Sequence, residues 1–126
     1  MAYVNPTIID TALQYVIDNA DGLYICSTEP TDYTEASSTY ALSYIAIDSG
    51  DWTGPAAGDT SGRKITLAAQ TSMSNSADGT SDSAAVTDSG NTALLLAFPT
   101  SAIALTNGNI CNTTAADYEI RAAVAE

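Results

Sequence analysis

The chain contains no histidine and only three basic residues among its 126 positions. Without histidine there is no Ser-His-Asp or Cys-His catalytic group and no histidine-ligated zinc site. Three cations against 15 acidic residues, a net charge of −12, cannot neutralise a row of phosphates or dock on anionic lipid. These absences argue against both a nucleic-acid partner and a membrane partner, and the functions that remain are mainly binding and structural roles.

Long hydrophobic runs are also missing. No stretch approaches the roughly 18 apolar residues of a membrane span. Residues 1–6 contain neither the basic region nor the apolar region of a secretory signal. We therefore expect a protein that is made in a cytoplasm and stays soluble.

Large aliphatic side chains are scarce, because Leu, Ile, Val and Phe form fewer than a fifth of the chain. With so high a net charge, this composition is typical of disorder. However, seven tyrosines and a tryptophan add apolar area, and the aliphatics lie in short patterned runs between turn residues. We predict one folded domain over residues 1–126, with an arm and helix at 1–22 and a β domain at 23–126.

Residues 6–20 have the only helical periodicity. Asn5 can cap this helix, Pro6 suits its first position, and Gly22 is placed to end it. The expected helix is an N-terminal appendage whose apolar stripe packs either on the protein's own sheet or on a partner. The stripe consists of Ile8, Ile9, Ala12, Leu13, Val16, Ile17 and Ala20.

From Leu23 onward the pattern changes to short strands between polar turns. Asp78-Gly79 and Asn107-Gly108 are typical tight-turn pairs, and residues 48–62 are predicted as a long loop. About seven short strands predict a mainly β protein, either a small antiparallel sandwich or a partly open barrel. They are expected at 23–27, 40–47, 63–68, 80–87, 92–98, 110–111 and 118–121.

Cys26 and Cys111 are isolated within predicted strands and have no C-x-x-C spacing. We expect buried free thiols rather than a disulfide.

Asp48-Ser49-Gly50 follows an apolar strand, as does the catalytic turn of aspartic proteases, and residues 88–90 repeat the tripeptide. Such a hydrolase, using Asp48, is a remote alternative, since the same residues are those that β-turns favour. No catalytic residue is assigned.

Calcium is a second option, because carboxylates recur in two loops. The spacing of an EF-hand is absent, so we expect solvated carboxylates and predict no metal and no other cofactor. The residues concerned are Asp48, Asp51, Asp59, Asp78 and Asp82.

Six residues are candidates for an interface. The adjacent cations can pair internally or contact an acidic neighbour. The lone tryptophan can fold back over a sheet edge or anchor a partner. The candidates are Arg63, Lys64 and Trp52, together with Ile9, Leu13 and Val16 on the helix stripe.

Several segments together resemble a family of small structural proteins encoded among the head genes of tailed bacteriophages. They are Val4-Asn5-Pro6, residues 23–33, 39–42, 51–55, 58–64, 78–80, 84–88, Leu94-Leu95, 105–109 and 118–121. The resemblance covers most of the chain and brings no catalytic residues with it.

The resemblance implies a non-enzymatic virion component, made in the host cytoplasm. The expected role is a capsid decoration (cement) protein that binds the major capsid protein on the outer surface of the head, as a trimer or dimer. A chain of net charge −12 fits the outside of a DNA-filled shell, because packaged DNA repels it. The alternative is a phage tail component or a receptor- or carbohydrate-binding β-module that stacks its ligand on Trp52 and the tyrosines.

Overall fold

The computed structural model describes residues 5–58 and 62–120, which form one α-helix and eleven short strands. The elements are α1 Pro6–Asn19, β1 Gly22–Cys26, β2 Ala41–Ala46, β3 Trp52–Ala57, β4 Arg63–Leu67, β5 Met73–Asn75, β6 Gly79–Thr80, β7 Ser83–Asp88, β8 Ala93–Pro99, β9 Ala104–Leu105, β10 Ile110–Cys111 and β11 Ala116–Ile120.

Three antiparallel sheets contain these strands. The largest has the order β10-β5-β2-β1-β7-β8, a second has the order β11-β4-β3, and β6 pairs with β9. The predicted mainly β class with an N-terminal helix is confirmed. The sheets do not close into a barrel, and the described strands number eleven rather than about seven.

Helix α1 begins as its sequence predicts. The Asn5 side chain accepts a hydrogen bond from the backbone N–H of Thr7 at 2.9 Å, and Pro6 occupies the first turn. The helix contacts β3 and β4 and buries four residues of its stripe: Ile9, Leu13, Val16 and Ile17. Of the two possibilities left open for the stripe, the structure shows packing on the protein's own sheets, so α1 forms part of the core.

That core joins α1 to both larger sheets. Leu23 and Ile25 of β1 and Val86 of β7 meet Ile65 and Leu67 of β4 in one buried cluster that also contains the helix side chains. We call the side of the six-stranded sheet that faces this cluster the inner face. Burial of this apolar surface favours folding by about 25 cal/mol per Å².

The opposite side, here called the outer face, has a smaller cluster of Cys26, Ala36 and Ala85. Ala36 belongs to a π-helical segment, Glu35–Thr39, in which the Tyr40 N–H donates to the Glu35 carbonyl at 2.9 Å. This segment covers only part of the outer face, so some of its side chains stay exposed.

Two predicted loop features differ from the structure. Trp52–Ala57 is a strand rather than loop, and pairs with β4 through a register irregularity between Thr53 and Ala56. Its Gly and Pro lie at that irregularity, where a strand tolerates them. Gly79 pairs with Leu105 instead of forming a hairpin turn, and a Cβ there would lie 2.8 Å from Leu42. A side chain at this position would therefore have to displace the Leu42 methyl groups.

Candidate functional site

Both Asp-Ser-Gly turns lie at one end of the molecule. With Asp18 and Asp21 they line an open concavity of about 580 Å³. The Asp48 carboxylate accepts a hydrogen bond from the Gly50 N–H at 2.8 Å, and the Asp88 carboxylate accepts one from the Asn91 side chain at 2.6 Å. Each carboxylate therefore caps its own 3-10 turn, which is the role expected of Asp in such a turn. The protease alternative stays a remote prediction.

The carboxylates considered for calcium are held separately. Asp51 accepts from the Asp48 N–H, Asp78 from the Asn107 N–H, and Asp82 from the Ser83 hydroxyl. Within residues 5–58 and 62–120, no three acidic or thiol groups come together to hold a metal ion. Asp59 lies outside the described residues.

The adjacent cations have internal partners. Arg63 meets the Asp10 carboxylate through two nitrogens, Nε at 2.8 Å and Nη2 at 3.3 Å, and so ties β4 to α1. Lys64 Nζ lies 3.4 Å from the Asp117 carboxylate on β11. Of the two possibilities left open by the sequence, the geometry supports internal pairing for both residues.

The four apolar interface candidates are buried. Ile9, Leu13, Val16 and Trp52 are each no more than 8% exposed and belong to the core cluster. Of the two possibilities for Trp52, a ring folded back onto the sheet or an exposed anchor, the structure shows the first. A partner could reach these side chains only by displacing α1 or β3, so a docking surface has to be sought elsewhere.

Both cysteines are free thiols, as expected. Cys26 is fully buried, its Sγ lies 3.5 Å from the Ala36 carbonyl, and burial raises the pKa of its thiol to about 11. Cys111 is half-buried and donates to the Ser43 hydroxyl at 3.2 Å. A raised pKa makes Cys26 a poor nucleophile, so its role is packing.

A tyrosine pair occupies the outer face. The rings of Tyr24 on β1 and Tyr44 on β2 are opposite each other in the strand register, with centroids 4.7 Å apart and planes tilted by 44°. Both rings lie over Gly22, where an added Cβ would be 3.0 Å from Tyr44 and 3.5 Å from Tyr24. Gly22 therefore begins β1 beneath the two rings instead of ending α1, as the sequence had suggested.

Tyr44 remains 41% exposed and Tyr24 is half-buried. Burial, with the nearby Tyr33 and Tyr44 hydroxyls and the Asp21 carboxylate, raises the pKa of Tyr24. From the sequence, the tyrosines are candidate stacking groups only as a class. Their grouping depends on the pairing of β1 with β2, for which the sequence has no local signal.

A second cleft, of about 790 Å³, lies between the inner face and residues 99–116. Its lining contains no charged residue, although the chain has a net charge of −12. The buried Asn75 lines it, with its side-chain N–H₂ bonded to the Thr106 carbonyl at 3.2 Å. Among the described residues, its Oδ1 has no hydrogen-bond partner.

Comparison with known proteins found no matching family model, no matching curated protein and no matching solved structure. No helix in the described part of the chain combines the length and the apolar character needed to cross a membrane.

Proposed function

We propose that this protein is a non-enzymatic structural component of a tailed-phage virion, a decoration protein that binds the major capsid protein on the outside of the head. The resemblance in sequence supports this role. The observation that carries it is that the side chains best suited to catalysis or to binding an anion are used within the protein. The two described cations form internal ion pairs, and the candidate catalytic carboxylates cap turns.

The remaining charge then favours one side of a shell. With Arg63 and Lys64 paired internally, the surface potential of the part of the chain that the structure describes is set by its other carboxylates. Such a surface is repelled by packaged DNA and attracted to cationic groups on a protein shell. Decoration requires many equivalent, individually modest contacts, which suit a small domain.

The direct test is cosedimentation of the purified protein with expanded empty heads of the phage that encodes it. We expect saturable, stoichiometric binding, and stabilisation of the heads against heat, because a ligand that binds only the assembled state stabilises it. An unrelated acidic protein of similar size is the control. Absence of binding at micromolar protein concentration overturns the proposal.

A tail or carbohydrate-binding module is the second candidate, and the exposed ring of Tyr44 favours it, since aromatic rings stack on sugars. The burial of Trp52 removes one of its expected stacking groups. Glycan-array binding that is lost in Tyr44→Ala, together with no binding to heads, would support this candidate over decoration.

A further inference from the structure

We propose that the tyrosine pair on the outer face is the docking surface for a protein partner that presents arginine or lysine side chains. This inference rests on the proposed function, in which the partner is the capsid shell, and it names the contact surface and its chemistry.

The pair belongs to a continuous row across the sheet. Strand register places Ile110 beside Ser74, Ser74 beside Tyr44, and Tyr44 beside Tyr24. Ile110 is 62% exposed, and Ser74 and Tyr44 are also exposed. Strands lie about 4.8 Å apart, so the row spans about 14 Å, which is wide enough for several partner side chains.

The rings have fixed positions before any partner binds. One side of each ring rests over Gly22, and the two rings contact each other, while Tyr44 keeps 41% of its surface exposed. Tyrosine held this way offers a rigid aromatic surface at little cost in side-chain entropy, and for this reason it is enriched at binding hot spots.

Charge selects the partner. Asp21 directly precedes Gly22, and its carboxylate accepts hydrogen bonds from the backbone N–H of Ser89 at 3.0 Å and from the Ser89 hydroxyl. It lies near enough to Tyr24 to contribute to the raised pKa of that hydroxyl. Glu35 lies in the π-helical segment over the same face. The described cations, Arg63 and Lys64, are both on β4 of the other sheet.

The Glu35 carboxylate accepts from the Thr31 N–H at 2.8 Å and from the Thr31 hydroxyl at 2.7 Å, and it keeps its negative charge there. Aromatic rings on an acidic face without a nearby described cation match guanidinium and ammonium groups through cation–π contact and ion pairing. A second copy of this chain would bring the same acidic surface against itself, which disfavours self-association here. Polyanions such as DNA are repelled. A cationic protein surface is therefore the occupant.

The experiment measures binding of three variants to the expanded empty heads. We expect Tyr44→Ala to weaken binding at least tenfold, and Ser74→Arg to weaken it similarly by placing a competing cation beside the rings. Tyr118→Ala is the matched control, because Tyr118 is 38% exposed on β11 of the other sheet, close to the 41% of Tyr44. Thermal unfolding checks that each variant is folded. If Tyr44→Ala does not fold, the binding of Ser74→Arg still tests the docking surface.

The outcomes separate the two proposals. If the unmodified protein does not bind heads, both proposals fail. If it binds, and Tyr44→Ala and Ser74→Arg bind within twofold of it, decoration stands and this docking surface is wrong. An equal loss in Tyr118→Ala also overturns the surface, since the effect would not be specific to the outer face.

Discussion

The two faces of the six-stranded sheet are built from the same strands but are completed differently. The inner face contributes large aliphatic side chains, such as Leu23 and Val86, to a core closed by α1 and β4. The outer face contributes tyrosine, cysteine and alanine, and only a short π-helical segment covers part of it. Folding alone buries the inner face, whereas the outer face keeps an ordered aromatic surface exposed to solvent.

Strand β7 shows how small residues permit this arrangement. All six residues of Ser83–Asp88 are buried, because the strand lies between β1 and β8 and is covered on both sides. Alanine, serine and threonine let the π-helical segment pack closely on the outer side of the strand. Larger side chains there would push that segment away from the sheet. The small-residue composition that is typical of disorder therefore serves a thin, closely packed sheet.

The largest expected effect on stability concerns the inner face of the six-stranded sheet. Leu13 is fully buried on α1, so Leu13→Ala should lower the free energy of unfolding by about 2–5 kcal/mol. Tyr15→Ala, on the exposed side of the same helix, should change it by less than about 0.5 kcal/mol. Urea denaturation measures both. Equal effects would mean that α1 does not close the inner face.

A second prediction concerns the buried part of the outer face. Cys26→Ala should cost about 1 kcal/mol, since it removes a fully buried side chain from a small cluster. The thiol pKa is about 11 in the folded protein, against 9.0 as its ordinary value. Between these values the unfolded chain has lost the proton that the folded protein keeps, so the free energy of unfolding should fall as pH rises from about 9 to about 11.

Urea denaturation at several alkaline pH values, in the presence of a reductant, measures this slope. Cys26→Ala should reduce it and leave the part that the raised pKa of Tyr24 contributes, whereas Cys111→Ala, at the half-buried thiol, serves as the control and should leave the whole slope in place. An unchanged slope in Cys26→Ala would show that the outer cluster is open to solvent, and the contrast between its covered and exposed parts would then disappear.

Local sequence signals predicted the elements that depend on neighbours in the chain. Asn5, Pro6 and the 3.6-residue period define α1, and residues 88–91 form the turn between β7 and β8. The alternation of Ile65 and Leu67 with polar residues marks β4, where both aliphatics are buried.

The features that were missed depend on distant parts of the chain. Strand β3 contains Gly54 and Pro55 and forms only because β4 lies beside it. Gly79 was interpreted as a turn residue, although a side chain there would have to displace Leu42, 37 positions earlier in the chain. The tyrosine pair requires the register of β1 with β2. None of these pairings leaves a periodic pattern in its own segment.

The smallest expected effect concerns the ion pair that links α1 to the three-stranded sheet. Arg63 and Asp10 are linked by two contacts, and their side chains are 29% and 35% exposed. A double-mutant cycle of Asp10→Ala and Arg63→Ala should give a coupling free energy of about 0.5–1 kcal/mol that declines at 1 M salt. The cycle for Lys64 and Asp117, whose contact is longer at 3.4 Å, should give less.

This cycle also bears on the charge asymmetry between the two faces. An intact pair means that Asp10 neutralises Arg63 on β4, so that the guanidinium is not available to an acidic partner. A coupling of zero would free the guanidinium for such a partner and restore the alternative that the sequence left open. The outer face would keep its acidic character in either case, because Arg63 lies on β4 of the other sheet. The cycle therefore decides what the β4 side can bind, while the variants of Tyr44 and Ser74 decide what the outer face binds.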